Sequence, residues 1–247
     1  MRKLIRFQFW LSYIFDRLLP AAFRIDGNRE FLESVVPENV REGVVVYDVG
    51  GGKNPVISPD RKAKLGVRVI GLDIDAAELA AAPAGSYDQI EPADISAYRG
   101  SGDGDLIICQ ALLEHVRDTD AAFGAISSIL KPGGRALVFV PSRNAVYARL
   151  NLVLPDRLKQ WVLFNIFPEM TRDHGFPAFY KQCTPAGFES ISRKHQLITE
   201  DRRLYFQSDY FRFFFPLHAI WRIWTMLFRL IAGAAAAETF TLVLRKQ

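Results

Sequence analysis

The sequence has 247 residues, of which 49% are hydrophobic and 23% are charged. This length and balance fit one α/β domain with a substantial core and exclude a disordered or fibrous chain. Two cysteines are too few for a disulfide framework or a cysteine-based zinc site, and the four histidines show no ligand spacing. We therefore expect no metal ion and a reducing compartment, the cytoplasm.

The net charge of +4 is unevenly distributed along the chain. Residues 1–24 carry five basic side chains against Asp16, and residues 202–230 carry five arginines against Asp209, so each segment has a net charge of +4. Both segments are rich in aromatic residues, a pattern that favours a membrane surface over nucleic acid. Their apolar runs, 7–15 and 213–221, fall short of the roughly 20 residues that span a bilayer.

Hydrophobic periodicity predicts a first helix over 4–19, a short helix near 28–36, and then alternating strands and helices. The predicted strands are 44–49, 67–74, a short one within 87–94, 103–109, 135–141, 196–206 and 238–246. The predicted later helices are 76–82, 118–130, 184–194 and 210–232, and residues 143–182 form an insertion. Short apolar strands alternating with helices indicate a mostly parallel sheet with helices on both faces.

A glycine-rich loop, Asp48 to Pro55, directly follows the first strand. Ligands of open parallel sheets bind beyond the carboxyl ends of the strands, and glycines let ligand atoms approach the backbone. Pro55 stands where a dinucleotide motif has its last glycine, which disfavours a nicotinamide dehydrogenase. A carboxylate at Asp48 attracts an ammonium group and repels phosphates. The loop therefore predicts a cationic ligand without phosphates.

Five motifs occur in order: the acidic-x-Gly-x-Gly loop at Asp48, VIGLDID after the second strand, Ala93-Asp94, DLIICQALLEHV, and LKPGGRALVFVPS. Together they resemble the class I S-adenosylmethionine-dependent methyltransferases, in the subgroup with a Leu-Glu-His motif. The resemblance covers residues 44–142 and the last strand. It implies a Rossmann-like sheet of seven mostly parallel strands with an antiparallel last strand, here with added aromatic helices at both ends.

The resemblance also implies a domain layout. We expect one methyltransferase domain over 1–247, with an N-terminal helical extension (1–40) and a cofactor-binding core (44–142). Inserted acceptor-side helices or a lid would occupy 143–183, and the last strands with the basic aromatic helix would occupy 184–247.

By the same resemblance, Asp48 and the glycine backbone would hold the methionine part of S-adenosylmethionine, and Asp73 would bind the ribose hydroxyls. Asp94 would bind the adenine amine with Ile95 against the ring, and Gln110 would lie beside the methionine part or the methyl group. Asp75 is the alternative ribose ligand, although a helix N-cap explains it as well. The implied cofactor set is Asp48, Gly50, Gly51, Gly52, Asp73, Ile74, Asp94, Ile95 and Gln110.

A hydroxyl acceptor would need a base near the methyl group. The candidates are His115, in the Leu-Glu-His motif, and His174, beside Asp173 in the insertion. The alternative for His115 is a structural role in the pocket wall. The alternative for His174 is an ordinary loop histidine without a catalytic role. The position of Asn54, where the family commonly has glycine or threonine, leaves the course of the loop open.

The functional expectation is O-methylation of a glycan, lipid-linked or hydrophobic small-molecule acceptor near an anionic membrane surface, with no nucleic-acid partner. The chain would be cytoplasmic, with peripheral attachment to the inner membrane face as a refinement. Alternatives are an inactive cofactor-binding regulatory module and a small-molecule methyltransferase without membrane contact. For the two aromatic helices, we expect packing against each other, with packing on lipid as the rival.

Overall fold

The computed structural model describes residues 2–153, 177–209 and 211–247. Its centre is a seven-stranded sheet with the strand order β3-β2-β1-β4-β5-β7-β6. The strands are β1 Val45–Val49, β2 Arg68–Asp73, β3 Gln89–Pro92, β4 Gly104–Gln110, β5 Leu130–Pro141, β6 Leu197–Tyr205 and β7 Thr239–Lys246. Strands β1 to β5 pair in parallel, and β7 runs antiparallel to both β5 and β6. The predicted fold class is confirmed.

Nine α-helices in the described part of the chain surround or extend this sheet. They are α1 Arg2–Leu18, α2 Gly27–Glu30, α3 Val36–Asn39, α4 Pro59–Leu65, α5 Ala76–Ala80, α6 Thr119–Ile129, α7 Val146–Val153, α8 Pro185–Lys194 and α9 Phe215–Ala232. A π-helix, Phe31–Val35, joins α2 to α3. One hydrophobic cluster, containing Phe123 and Phe188, packs on one side of the sheet, and a second, containing Phe31 and Ile57, packs on the other.

Two element boundaries differ from the prediction, and one helix was not predicted. The turn 131–134 is an irregularity inside β5, because Leu130 already pairs with Gly104 before Arg135 pairs with Leu106. The helix expected from residue 210 begins at Phe215, since Pro216 lacks an N–H and is tolerated only in a first turn. The sequence analysis also missed α4, which buries no side chain and so has no apolar periodicity.

The two terminal helices, α1 and α9, contact each other as expected, through buried polar groups and the edge-to-face pair of Phe15 and Phe215 at 5.9 Å rather than through a long aromatic seam. Most of their aromatic side chains, including Phe7, Trp10 and Trp224, are exposed. The expectation that no segment is long enough to span a membrane was wrong. The helical stretch Phe215–Ala236 has 22 residues and contains an 18-residue window with a mean hydropathy of 1.3, which meets the length and composition of a span.

Candidate active site

The glycine loop lies beyond the carboxyl end of β1, between β2 and β4. Gly50 and Gly52 have φ angles of +81° and +48°, in the left-handed region that favours glycine. A Cβ atom on Gly51 would stand 2.7 Å from the carboxylate of Asp48, so this position has no room for a side chain. The loop therefore presents bare backbone to whatever occupies the crevice.

Asp48 is buried beneath this loop and organises it. Its Oδ2 accepts a hydrogen bond from the Val56 backbone N–H at 2.8 Å, which ties the end of the loop to its start. Burial, together with the charge of Asp73, raises the pKa of Asp48 to about 7, despite the bond from Val56. A group with this pKa gains or loses a proton near neutrality as the charge of its surroundings changes. The expected role toward an ammonium group stays a prediction.

Asp73 ends β2 with its carboxylate over the loop. Its Oδ2 lies 3.4 Å from the position of a Cβ atom on Gly52, and its Oδ1 accepts from the Asp75 N–H at 3.0 Å. Burial raises the pKa of Asp73 above its usual value, and the charges of Asp75 and Glu78 add to this. Asp75 instead caps α5, accepting from the N–H groups of Ala77 and Glu78. The geometry thus favours Asp73 over Asp75 as the ribose ligand.

Ile74, between these two carboxylates, is 60% exposed, so its side chain is accessible to a ligand. Its position suits contact with a flat ligand beside Asp73. Ile95, in contrast, is buried in the core cluster with Ile70 and Leu72. Asp94 is exposed, and its Oδ1 accepts from the backbone N–H and hydroxyl of Ser96, both at 2.8 Å. The other carboxylate oxygen of Asp94 has no contact in the described residues that would prevent it from binding a ligand.

Gln110 ends β4 and donates from Nε2 to Oδ1 of Asn28 at 2.6 Å. This contact joins the sheet to α2 across 82 residues of sequence. The sequence analysis missed Asn28, because no local pattern connects it to β4. Asn28 of this pair also lines a second cavity, next to the end of β4.

That second cavity, of about 410 Å³, opens at the carboxyl ends of β4 and β5. Its apolar walls come from Phe139, Pro141, Tyr147 and Tyr180, and its polar rim includes Asn28 and three residues that follow β6. The rim residues after β6 are Gln207, Ser208 and Asp209. A cavity of this size and lining fits a small ring-bearing molecule.

The structure places His115 outside the wall of this cavity. Its Nδ1 lies 3.1 Å from the carbonyl oxygen of Pro177, which fixes the proton on Nδ1, and its Nε2 lies 3.8 Å from Oε1 of Glu114. Glu114 is buried, and burial raises its pKa to about 8. His174, the other proposed base, lies outside the described residues.

Comparison with known proteins agrees with this geometry. A sequence profile described as a methyltransferase domain matches residues 20–192. Two curated relatives are named ubiquinone biosynthesis O-methyltransferase. The one from Ralstonia nicotianae is 29% identical over 167 residues, which cover 64% of this chain and 65% of the relative. The one from Colwellia psychrerythraea is 31% identical over 151 residues, which cover 58% of each chain. The match thus spans less than two thirds of either relative.

Among solved structures, an S-adenosylmethionine-dependent methyltransferase from Mesorhizobium loti superposes with a TM-score of 0.58. It is 17% identical, and the superposition covers 90% of this chain and 98% of that one. At this identity the likeness concerns the fold alone, and it includes the sheet whose edge carries the crevice.

Proposed function

The chain belongs to the methyltransferase domain family, whose fold is that of the class I S-adenosylmethionine-dependent enzymes, and from this premise we propose that it O-methylates a small hydrophobic acceptor. The observation that carries the proposal is the juxtaposition of two sites at one edge of the sheet. Strand β4 lies between β1, which is followed by the glycine loop faced by Asp73, and β5, whose Phe139 and Pro141 line the aromatic cavity.

The residues present fit S-adenosylmethionine. Gly50, Gly51 and Gly52 carry no side chains, so the amino-acid end of the cofactor can approach the loop backbone closely. The Asp73 carboxylate over Gly52 can accept hydrogen bonds from two ribose hydroxyls, and Ile74 offers an apolar surface beside it. When bound, the cofactor supplies an electrophilic methyl group on a sulfonium. Asp94 and Gln110 would complete the site at its adenine and methionine ends.

The lining of the acceptor cavity supports a narrower class for the second substrate. Phe139, Pro141, Tyr147 and Tyr180 suit an aromatic or isoprenoid acceptor better than a glycan, whose many hydroxyls need polar partners. The names of the curated relatives point to the same acceptor chemistry, since each names ubiquinone biosynthesis and O-methylation. We therefore narrow the glycan, lipid-linked or hydrophobic acceptor to a phenolic molecule, with or without a lipid tail.

A phenolic acceptor must lose its proton during the reaction. The carboxylates on the cavity rim have other partners: Asp26 caps α2 by accepting from the Arg29 N–H, and Asp209 pairs with Arg212 at 2.9 Å. A phenol has a pKa of about 10, so a modest base or solvent access is enough to remove its proton. His174 and His115 stay our candidates, and His115, whose Nδ1 contacts the Pro177 carbonyl, would act through Nε2.

The test is incubation of the purified chain with cofactor carrying an isotopic label in the methyl group. The acceptors are a catechol with a short isoprenoid tail, the same catechol with both hydroxyls already methylated, and a neutral polysaccharide. We expect label in the free catechol alone. Transfer to the polysaccharide but not to the catechol would overturn the acceptor class. Cofactor binding without transfer to any acceptor fraction, including lipid and RNA extracts, would favour the inactive binding module.

A further inference from the structure

Helices α1 and α9 turn their apolar sides away from the protein. Of the 21 large hydrophobic side chains that are exposed in the described residues, eight lie on α1 and seven on α9. Trp10 is 55% exposed, Leu18 78%, Ile220 66% and Leu230 83%. A soluble domain rarely leaves so many large apolar side chains together in water.

The polar side chains of the two helices meet in the contact between them. Asp16 of α1 accepts hydrogen bonds at 3.0 Å from His218 Nε2 and Arg222 Nε, both on α9, and a further bond from Arg212. Burial alone would raise the pKa of Asp16, but the bond from His218 and the charges around it outweigh burial and hold the pKa below its usual value. The helix pair therefore buries charged side chains in its contact and exposes most of its large hydrophobic side chains, unlike an ordinary surface helix.

The same contact fixes α9 along the surface of the domain. Arg222 is fully buried, and its guanidinium donates to the backbone carbonyls of Phe206 and Phe23 as well as to Asp16. For α9 to cross a membrane, this arginine would have to leave all three acceptors and enter hydrocarbon, which is strongly unfavourable. Although the segment is long enough to span, the structure favours a helix that lies parallel to a surface.

The exposed charges of the two helices themselves are basic. Lys3, Arg6 and Arg17 of α1 and the following Arg24 are exposed, whereas Asp16, the one acidic residue of the two helices, is buried. Cations bordering an apolar face complement a membrane that contains anionic lipids, because the long side chains reach the headgroups while their neighbours enter the acyl region.

We propose that the outward apolar face of α1 and α9, together with these four cations, docks the protein into one leaflet of an anionic bilayer, with both helices in the membrane plane. The buried Asp16–His218–Arg222 contact holds the two helices in register for this docking. The occupant is the lipid surface itself, since both the basic rim and the amphipathic pattern match it.

The docking face adjoins the acceptor cavity. Asp209 of the cavity rim pairs with Arg212, which also pairs with Asp16, and the ring of Tyr147 in the cavity wall stacks on Trp221 of α9 at 6.3 Å. Docking would therefore bring the cavity close to the leaflet, where a lipid-tailed acceptor resides. This delivery role rests on the proposed function, whereas the docking itself does not.

The experiment is flotation of the full chain with phosphatidylcholine vesicles, with or without about one third phosphatidylglycerol. We expect flotation with the anionic vesicles and its reduction by salt. The double variant Trp10→Glu/Ile220→Glu should lower flotation by roughly tenfold or more, because it places two carboxylates in the docking face. The matched control is Ile90→Glu, a 45% exposed isoleucine on β3 at the opposite edge of the sheet, which should float like the wild type.

Three results would overturn the proposal: absence of flotation at low salt, equal flotation of the double variant and the wild type, or a soluble dimer that the double variant dissociates. The last would show that a second copy covers the face. Binding of S-adenosylhomocysteine to each variant shows that the site is folded. Flotation of a chain that binds no S-adenosylhomocysteine would support docking while removing the proposed function.

Discussion

The Oδ2 atom of Asp73 lies 3.4 Å from the point where a Cβ atom on Gly52 would stand. The parallel neighbours β1 and β2 bring the two residues together at the carboxyl edge of the sheet. A ligand seated on the glycine loop therefore meets a carboxylate on its flank. The proposed cofactor site depends on this relationship.

Asp73→Ala should weaken binding of S-adenosylhomocysteine by about 10- to 100-fold, because hydrogen bonds to a charged group contribute about 1.5–3 kcal/mol. Asp75→Ala is the matched control, since Asp75 caps α5. Its loss should lower the free energy of unfolding by about 1 kcal/mol and leave affinity nearly unchanged. Calorimetric titration and urea unfolding measure the two effects. If Asp75→Ala lost affinity and Asp73→Ala did not, the ribose assignment would move to Asp75.

Gly52→Ala should also lower cofactor affinity, because its φ of +48° is strained for alanine and its Cβ would stand 3.3 Å from Glu78 beside Asp73. Gly66, which ends α4 with a φ of +59° and open space around it, provides the comparison. Both variants should lose about 1–2 kcal/mol of stability through backbone strain, but only Gly52→Ala should lose affinity. Equal affinities in the two variants would place the ligand away from Gly52.

Binding near pH 7 should release protons. The pKa of Asp48 is raised to about 7 by burial, and an ammonium group brought close to it would lower that pKa again. At pH 7 the release would be on the order of half a proton per site. Titrations in phosphate and Tris, which differ in ionisation enthalpy, should therefore give different binding enthalpies. Identical enthalpies would show that Asp48 does not sense the ligand's charge.

Glu114→Gln should change how stability depends on pH. Burial raises the pKa of Glu114 from 4.5 to about 8, so the folded protein holds this proton more tightly than the unfolded chain. The wild type gains that stability below about pH 4.5 and loses it as the pH rises to 8, by at most about 1.4 kcal/mol per pH unit. The variant lacks this loss. Its Tm relative to that of the wild type should therefore rise as the pH increases across that range. The exposed Glu42→Gln should show no such trend. If the Tm of Glu114→Gln changed with pH in parallel with the Tm of the wild type, the raised pKa of Glu114 would be refuted.

Removing one partner of the buried charge cluster should be strongly destabilising. Arg222→Met leaves the buried Asp16 with His218 and Arg212 but without Arg222, and breaking such a buried pair costs about 3–5 kcal/mol. The double variant Asp16→Asn/Arg222→Met removes both charges and should recover much of the loss. Urea unfolding of the two single variants and the double variant measures the coupling. If the losses in the free energy of unfolding of the two single variants simply added up in the double variant, the two residues would act independently.

The sequence predicted most of the sheet because its strands are short, apolar and rich in β-branched residues. The helix α4 escaped detection because its sequence, PDRKAKL, is charged on all sides. The turn 131–134 was predicted to separate a helix from the strand β5, since Pro and Gly usually interrupt strands. In the structure, residues on both sides of the turn pair with β4, so β5 continues through it.

For the site, Asp73 and the glycine loop could be located because they follow predicted strands, whereas Asn28 could not. Its partner Gln110 is distant in sequence, and only the fold brings them together. The same limit applies to the terminal helices. Their aromatic residues suggested a shared apolar seam. The side that faces inward is instead set by the contact of Asp16 with His218 and Arg222, which lie 202 and 206 residues further along the chain.

The most direct test of the cofactor site is a calorimetric titration of the full chain with S-adenosylhomocysteine and, separately, with NAD. The account predicts a saturable heat with S-adenosylhomocysteine that is lost in Asp73→Ala, and no heat with NAD. Saturable binding of NAD with no response to S-adenosylhomocysteine would contradict it.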